Sequence, residues 1–592
     1  MSRTNSRGNY SPVLRDYLPA FEDPDEPFLI CHRFTPERTI ETRELSRGDL
    51  WSLARRAAAM LRERDVVSGK HFTHYFTSNR PEDLAFRLGA VMVGAVPVTV
   101  NWQADTPERI LYKMELTGSR VVIVDSGTPE DVLETLGARV PGLELFDCHD
   151  LSDYEELSEG KMSEGLEREP ESTRIVIFTS GTSGQPKGVK LPFRSYRTNL
   201  RTFESFLGFT SNERFVALVV NPLHHTNSTA ITDWALRRPG ARLHLVERYS
   251  TLYWGLLPEI VCEEGRVVAP LVARHFDYLE NLCAKGKLPV EVERLKETMS
   301  QIEFLLGSAP VGPTTVERVR SWTGRLPLVR FGSTETCLQV MGTSPELAEE
   351  QRLKAFQRGW SHRWDGEEQP GYYIGRPHPP YTETLVVRSL DRRAEDYFEH
   401  CEAGEPGYLV ARGDNVMKGY VGDPEATRAV FHEDGWYGGF GDVCFWLGSP
   451  DGSKDYYWLS RESTILIRGG ANYAYARIEG ELREFACSHY ELEDGDFDLA
   501  VVGLRVESEH EDSCCVTLEL LSERAQDKQD IIGETFLQEA RQAVTKPARP
   551  EYFRFAAIPR NFKGAVRVPK LKQEFQKDIK GRDHDQAEDE RV

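Results

Sequence analysis

A run of small, hydroxylated and glycine residues follows the apolar segment Ile175–Phe178 and ends in a cation. Glycines let backbone N–H groups approach a phosphate closely, hydroxyls donate further hydrogen bonds, and a lysine supplies positive charge. The run lacks the Gly-Lys-Ser/Thr ending of a Walker loop. Taken alone, it predicts a triphosphate site and an ordinary flexible turn with equal weight. It consists of Thr179, Ser180, Gly181, Thr182, Ser183, Gly184, Gln185, Pro186 and Lys187.

A carboxylate motif follows a second apolar segment, Leu328–Arg330. A bound triphosphate needs Mg²⁺, a hard cation that takes oxygen ligands, and Glu335 offers such a ligand. Taken alone, however, a Thr-Glu pair after a strand is more often the start of a helix than a metal site. The motif consists of Phe331, Gly332, Ser333, Thr334 and Glu335.

A pair of adjacent histidines, His224 and His225, follows the apolar segment Phe215–Val220. Two histidines could chelate a metal, but a pair without a third ligand is a weak signal for such a site. The next two residues, Thr226 and Asn227, are also polar. The segment is therefore a candidate for polar ligand contacts after a strand.

These strings resemble the signature motifs of the adenylate-forming superfamily, which contains acyl-CoA synthetases, luciferases and the adenylation domains of peptide synthetases. Thr179–Val189 is similar to the superfamily's phosphate loop almost letter for letter, and Phe331–Glu335 is similar to its aromatic-Gly-x-Thr-Glu motif. Asp434–Asp442 resembles a later segment that ends in a ribose-binding aspartate, with Phe440 in place of the usual threonine. Recognisable motifs run in the family's order, and the chain is most similar to an acyl-CoA synthetase.

The resemblance implies how ATP and Mg²⁺ bind. Thr182 and Glu335 would hold Mg²⁺, and Thr334 would bond the α-phosphate. Asp442 and Arg461 would hold the ribose. The implied ATP-binding residues are Thr179, Ser180, Gly181, Thr182, Ser183, Gly184, Lys187, Gly307, Ser308, Ala309, Pro310, Phe331, Gly332, Ser333, Thr334, Glu335, Asp442 and Arg461.

The resemblance also implies where the acid and coenzyme A bind. His225 matches the residue that stands between the ATP site and the acyl pocket, and His224, Thr226 and Asn227 would line that pocket. These polar side chains favour a small or polar acid, unless they satisfy one another or the backbone. The implied CoA-binding residues, Gly469 and Gly470, would let the pantetheine arm pass close to the backbone.

One position departs from the family's pattern. Ala565 stands where the family has a catalytic lysine that stabilises charge as pyrophosphate leaves. Three explanations of this alanine stay open. The chain is an engineered inactive variant, or Lys563 or Arg567 takes over the role of the lysine, or the protein no longer performs the first reaction step. We favour the first explanation. The implied catalytic positions are Thr182, Lys187, His225, Glu335, Arg461 and Ala565.

The predicted function is that of an ATP-dependent acid–thiol ligase. A carboxylic acid would be activated as its acyl-AMP with release of pyrophosphate and then joined to CoA, with the first step impaired by Ala565. Two alternatives stay open, a stand-alone enzyme that loads a carrier protein and a non-catalytic nucleotide-binding homologue. A homodimer also stays open.

The elements that must position these residues form an α/β fold. Short apolar runs alternate with longer helical patterns, which predicts largely parallel sheets, and Leu88–Val100 predicts a buried helix that turns into a strand. The resemblance implies a large N-terminal domain of layered β-sheets with helices (residues 1–460), a hinge at Arg461–Ser463, and a small mobile α+β C-terminal domain (residues 461–592) whose tail, 581–592, is disordered. The predicted strands are Val121–Val124, Arg174–Phe178, Phe215–Val220, Val267–Ala269, Ile302–Leu306 and Leu328–Phe331.

Composition excludes several classes of function. The formal charge of −21 over 592 residues disfavours nucleic-acid binding, which needs clustered cations. No apolar stretch is long enough to span a membrane, and Met1–Tyr10 lacks the apolar region of a signal peptide, so we expect a cytoplasmic location. The 10 cysteines form no Cys-x-x-Cys pair, which predicts scattered reduced thiols.

Overall fold

The computed structural model describes the chain in two compact units. It describes residues 10–162, 169–179, 186–210, 213–262, 265–364, 366–461, 465–468, 471–493, 495–509, 511–560, 566 and 568–589. The first unit takes in the described residues of 1–179, 187–307 and 315–459, and the second those of 180–186, 308–314 and 460–592.

The strands and helices alternate along most of the chain. The strands are β1 (Pro27–Phe34), β2 (Ile40–Ser46), β3 (His71–His74), β4 (Val96–Thr99), β5 (Val121–Val124), β6 (Glu144–Asp147), β7 (Thr173–Thr179), β8 (Lys187–Pro192), β9 (Phe215–Val219), β10 (Ala241–Val246), β11 (Arg266–Leu271), β12 (Ile302–Leu306), β13 (Leu328–Phe331), β14 (Met341–Gly342), β15 (Arg363–Trp364), β16 (Glu367–Glu368), β17 (Tyr372–Pro377), β18 (Thr382–Val387), β19 (Gly407–Gly413), β20 (Gly419–Tyr420), β21 (Asp442–Gly448), β22 (Lys454–Arg461), β23 (Ile465–Arg468), β24 (Ala471–Ala474), β25 (Phe497–Leu504), β26 (Ser513–Leu520) and β27 (Tyr552–Phe555). The helices are α1 (Arg47–Glu63), α2 (Pro81–Val93), α3 (Pro107–Thr117), α4 (Glu130–Arg139), α5 (Phe193–Leu207), α6 (Thr226–Arg237), α7 (Tyr253–Ile260), α8 (Arg274–Ala284), α9 (Val292–Met299), α10 (Pro313–Thr323), α11 (Glu349–Trp360), α12 (Pro424–Val430), α13 (Tyr475–Tyr490), α14 (Glu523–Gln526), α15 (Gln529–Ala543) and α16 (Val568–Asp589).

A 13-stranded sheet forms the larger part of the first unit, in the order β18-β19-β21-β22-β17-β14-β13-β12-β11-β9-β10-β1-β2. The neighbours from β1 through β10, β9, β11 and β12 to β13 are parallel, and pairing becomes antiparallel from β13 onward. Parallel strands covered on both faces are apolar at nearly every position. For this reason β9, β11, β12 and β13 lie where the apolar runs predict them, within two residues.

A second, 7-stranded sheet has the order β20-β8-β7-β4-β3-β5-β6. The predicted helix-to-strand segment is confirmed, because α2 ends at Val93, Gly94 adopts a left-handed φ of 82°, and β4 begins at Val96. Every residue of α2 is buried. One hydrophobic core joins this helix and both sheets, so the first unit is built of layered sheets and helices, as predicted.

The second unit is a small α+β assembly. Its three-stranded sheet has the order β25-β26-β27, and β23 pairs with β24 as a separate antiparallel hairpin. Helices α13, α15 and α16 cover the sheet through buried residues such as Leu482, Phe536 and Leu571. The class of this unit agrees with the prediction.

The C-terminal helix α16 runs from Val568 to Asp589, so its last residues belong to the polar tail that begins at Gly581. The helix is anchored upstream by Leu571, Phe575 and Ile579, which lie four residues apart on one face and are buried. No described helix is long and apolar enough to cross a bilayer.

Candidate active site

Paired strands frame the predicted phosphate run. Strand β7 ends at Thr179 and β8 begins at Lys187, and these two residues face each other in the antiparallel ladder. Both are partly buried. The pairing holds the lysine directly beside the point where the run leaves the sheet. The predicted residues Ser180, Gly181, Thr182, Ser183 and Gly184 lie outside the described residues.

A tight turn holds the motif after β13. A Cβ atom on Gly332 would stand 1.4 Å from the carbonyl oxygen of Leu338, so no side chain fits there. The Leu338 N–H in turn donates to the Ser333 carbonyl at 3.0 Å. Cys337 and Leu338 both adopt positive φ, at 48° and 85°, and such strain persists only where the surrounding structure imposes it. The turn therefore fixes the positions of Thr334–Thr336, a short 3₁₀ helix that contains the predicted carboxylate.

Tyr420 connects the lysine of the phosphate run to this carboxylate. Its hydroxyl donates to Glu335 Oε1 at 3.2 Å, and Lys187 Nζ lies 5.1 Å from the centroid of its ring. The Met417 N–H donates to the Glu335 carbonyl at 2.6 Å. Burial and the Glu335 charge raise the pKa of Tyr420, so its hydroxyl remains a donor. Two motifs that are far apart in the sequence thus meet at one residue.

Asp442 is buried at the start of β21. The indole N–H of Trp458 donates to its Oδ1 at 2.9 Å, which orients the carboxylate. Phe440, which replaces the family's threonine, is buried with its ring centroid 6.0 Å from that of Phe331. The substitution therefore packs this segment against the carboxylate motif. The predicted ribose contact of Asp442 stays a prediction.

The two histidines contact each other at the end of β9. His224 Nε2 and His225 Nε2 are 3.1 Å apart, so one imidazole donates and the other accepts. Burial lowers the pKa of His225 to about 4 and that of His224 well below its ordinary value. Both rings are therefore neutral near pH 7. Among the described residues, three potential metal ligands cluster only at 147–149, which gives the histidine pair no third ligand.

The other predicted acid-pocket residues begin helix α6. Thr226 and Asn227 are its first two residues, with His225 at the N-cap, and both are buried. Asn227 Oδ1 accepts a hydrogen bond from Arg330 Nη2 at 2.8 Å. Because Arg330 directly precedes Phe331, Asn227 lies beside the strand that leads to the carboxylate motif. The role of Asn227 in an acid pocket stays a prediction.

The predicted adenine segment follows β12. Gly307 is buried, and a Cβ there would meet the Arg330 carbonyl oxygen at 3.2 Å. Ser308 adopts a left-handed φ of 68°, and Ala309 and Pro310 are partly buried. Their predicted contacts with adenine stay predictions.

Four residues with predicted roles lie partly or wholly outside the part of the chain that the structure describes. The backbone of Arg461 ends β22, but its side chain lies outside the described part of the chain. Gly469, Gly470 and Ala565 also lie outside the described residues. Their assigned roles therefore stay predictions.

The AMP-binding enzyme family matches residues 20–421, more than half of the chain. The chain belongs to this family. The match confirms the resemblance to adenylate-forming enzymes and includes the phosphate run, the carboxylate motif and the histidine pair. Asp442 and Ala565 of this AMP-binding enzyme lie beyond the matched residues.

Two curated relatives of this AMP-binding enzyme are CoA ligases. The 2-succinylbenzoate–CoA ligase of Bacillus velezensis is 26% identical over 471 residues, which are 77% of this chain and 82% of the relative. The 4-coumarate–CoA ligase 3 of Oryza sativa subsp. japonica is 26% identical over 476 residues, 77% of this chain and 75% of the relative.

Solved structures of CoA ligases share the fold. The o-succinylbenzoate CoA synthetase of Bacillus subtilis, bound with a product analogue, gives a TM-score of 0.70 at 22% identity and covers 95% of this chain and 98% of its own. A malonyl-CoA ligase with methylmalonyl-CoA and AMP bound gives a TM-score of 0.64 at 21% identity and covers 93% and 100%. At these identities the likeness establishes the fold, with a large N-terminal and a small C-terminal domain.

Sequence reasoning missed two residues of the site. The sequence predicts no role for Tyr420, because nothing local indicates its contact with Glu335. Arg330 carried a detectable signal, since a charged residue at the end of an apolar strand interrupts the pattern of burial. The structure buries this charged residue, which is only 4% exposed.

Proposed function

We propose that this AMP-binding enzyme is an ATP-dependent acid–CoA ligase. A carboxylate oxygen of the acid attacks the α-phosphorus of ATP, the bond to the β-phosphate oxygen breaks, and pyrophosphate leaves. The thiolate of CoA then attacks the acyl carbon, and the bond to AMP breaks. The contacts of Lys187 and Glu335 with Tyr420 are the observation that carries the proposal, because a cation and an oxygen ligand that lie close together would suit a triphosphate with its Mg²⁺.

The chemistry of Lys187, Glu335, Asp442 and His225 fits the roles that the first step requires. Lys187 would neutralise phosphate charge, and Asp442 would accept hydrogen bonds from the ribose hydroxyls. Glu335 would hold Mg²⁺ together with Thr182, and the carboxylate suits a hard cation, which would offset the charge of the phosphates. The neutral His225 would separate the acid from the nucleotide without adding charge.

The second step is assigned to the C-terminal part of the chain. We propose a boundary at residue 460, a hinge at Arg461–Ser463, and a rotation of residues 461–592 between the two steps. Gly469 and Gly470 would then line the path of the pantetheine arm. Ala565 would slow the first step, because the family's lysine charge is missing from that position.

The test is product analysis with a panel of carboxylic acids, Mg·ATP and CoA. We expect AMP, pyrophosphate and an acyl-CoA in equal amounts, with higher yield for Ala565→Lys than for the unaltered chain. Formation of acyl-AMP that is passed to an acyl carrier protein and not to CoA would overturn the choice of acceptor. Hydrolysis of ATP to ADP, or no acid-dependent reaction in either protein, would overturn the proposal.

A further inference from the structure

Arg330 is a buried cation without an anionic partner. Its side chain lies inside the first unit beside α5 and α6, with Cζ 5.9 Å from the ring centroid of Phe203. Nη2 donates to the neutral amide oxygen of Asn227, but Nε and Nη1 have no hydrogen-bond partner among the described residues. Burial alone lowers the pKa of Arg330 to about 9. A nearby anion would oppose that shift.

Comparison with the other buried arginines shows that the lack of an anionic partner is specific to Arg330. Each of the other arginines buried among the described residues forms an ion pair with a carboxylate, as a charge removed from water requires. These residues are Arg47, Arg87, Arg174, Arg237, Arg238 and Arg554. Arg330 differs from all of them, so its partner is best supplied by a molecule that binds.

The groups around Arg330 indicate which kind of anion would bind there. Its partner Asn227 lies two residues after His225, and Thr226 Oγ1 is likewise buried with no partner among the described residues. The positive end of the α6 dipole is at the same point. A guanidinium, a hydroxyl and a helix N-terminus together suit a carboxylate.

We infer that the acid activated by this enzyme carries a second carboxylate, which pairs with Arg330 while the first reacts with ATP. The inference rests on the proposed function and narrows it to dicarboxylic acids. The activated carboxylate points toward the nucleotide and loses its charge in the acyl-AMP. The second carboxylate keeps its charge throughout, so Arg330 binds and positions the substrate in both steps.

The experiment measures binding of non-hydrolysable acyl-AMP analogues, which makes it independent of Ala565. Acyl-sulfamoyl adenosines are prepared in matched pairs that differ by one carboxylate, from malonate and propanoate, succinate and butanoate, and 2-succinylbenzoate and 4-oxo-4-phenylbutanoate. Calorimetry gives Kd for the unaltered chain, Arg330→Met and Arg330→Lys. The double variant Arg554→Met/Asp578→Asn serves as the control, because it removes a buried arginine that is already paired.

We expect the dicarboxylate member of at least one pair to bind about 30-fold or more tightly than its partner, as loss of a buried charged contact predicts. Arg330→Met should remove this preference, Arg330→Lys should keep part of it, and the double variant should keep all of it. The inference would be overturned if no pair showed a preference for the dicarboxylate, or if the preference survived Arg330→Met. It would also be overturned if Arg330→Met weakened the binding of both members of a pair equally, or if the double variant lost the preference. If Mg·ATP and all analogues fail to bind the unaltered, folded chain, the proposed function itself fails.

Discussion

At the scale of single residues, Tyr420 explains how two distant motifs act together. Its hydroxyl fixes one oxygen of Glu335, and its ring lies near the Lys187 ammonium. A neutral donor therefore orients the carboxylate and leaves its negative charge available to a bound cation. Such outer contacts hold metal ligands in position and are themselves important for metal affinity.

Glu335→Gln should weaken ATP binding in the presence of Mg²⁺ by about 10- to 100-fold, because an amide supplies no negative charge to the cation. Binding of ATP in EDTA should change little. Calorimetric titration with and without Mg²⁺ measures both. Tyr420→Phe is the matched control, since it keeps the carboxylate and should have the smaller effect. Equal Mg²⁺ dependence in Glu335→Gln and the unaltered chain would refute the assigned role.

At the scale of elements, the turn between β13 and β14 determines the geometry of the carboxylate motif. Gly332 has no room for a Cβ, and Cys337 and Leu338 hold positive φ. The antiparallel pair Arg330↔Gly342 and Phe331↔Met341 then closes the turn. The motif is therefore rigid before any ligand binds.

Gly332→Ala should lower the free energy of unfolding by about 1–3 kcal/mol and reduce Mg·ATP affinity, because the backbone must move away from the new methyl group. Gly448→Ala is the control, since a Cβ at that position of β21 meets nothing within 4 Å. Urea unfolding and calorimetry measure the two effects. If both variants behave alike, the turn is more adaptable than we infer.

The same elements show what the sequence reveals and what it does not. Strands β5 and β12 were predicted to the residue, because strands buried on both faces are continuous apolar runs. The contact of Tyr420 with Glu335 spans 85 residues and that of Arg330 with Asn227 spans 103, so both depend on tertiary packing that no local pattern encodes.

At the scale of the whole molecule, buried neutral histidines make stability depend on pH. Burial lowers the pKa to about 3 for His74 and to about 4 for His225, His275 and His378. In the unfolded chain these groups titrate near the ordinary value of about 6.5. Between the two values the unfolded chain binds more protons, so stability is present above pH 6.5 and is lost as the pH falls toward 4.

The free energy of unfolding should therefore decrease from pH 6.5 to pH 5, by up to about 1.4 kcal/mol per pH unit for each such histidine. Urea unfolding followed by circular dichroism at several pH values measures the slope. His378→Gln should make the slope shallower, because it removes one titrating group. A slope that is unchanged by this substitution would contradict the assignment to buried histidines.

The proposed rotation of residues 461–592 predicts different effects on the two steps. In the Ala565→Lys background, Ser463→Pro should leave acid-dependent pyrophosphate release nearly intact and reduce thioester formation, because a rigid hinge hinders the rotated state. Parallel assays of pyrophosphate and acyl-CoA distinguish the steps. Equal loss of both would place the hinge elsewhere.

Acid-dependent exchange of labelled pyrophosphate into ATP tests the formation of an acyl-AMP most directly, because exchange requires reversal of that step alone. We predict exchange that needs both Mg²⁺ and an acid, and that rises by about 10² to 10³ when Ala565→Lys restores the charge. CoA should not be required. If Lys563→Ala or Arg567→Ala abolished exchange while Ala565→Lys brought no gain, the catalytic cation would be at a neighbouring position. The account would be contradicted if exchange were absent from both proteins with every acid, or if it occurred without acid.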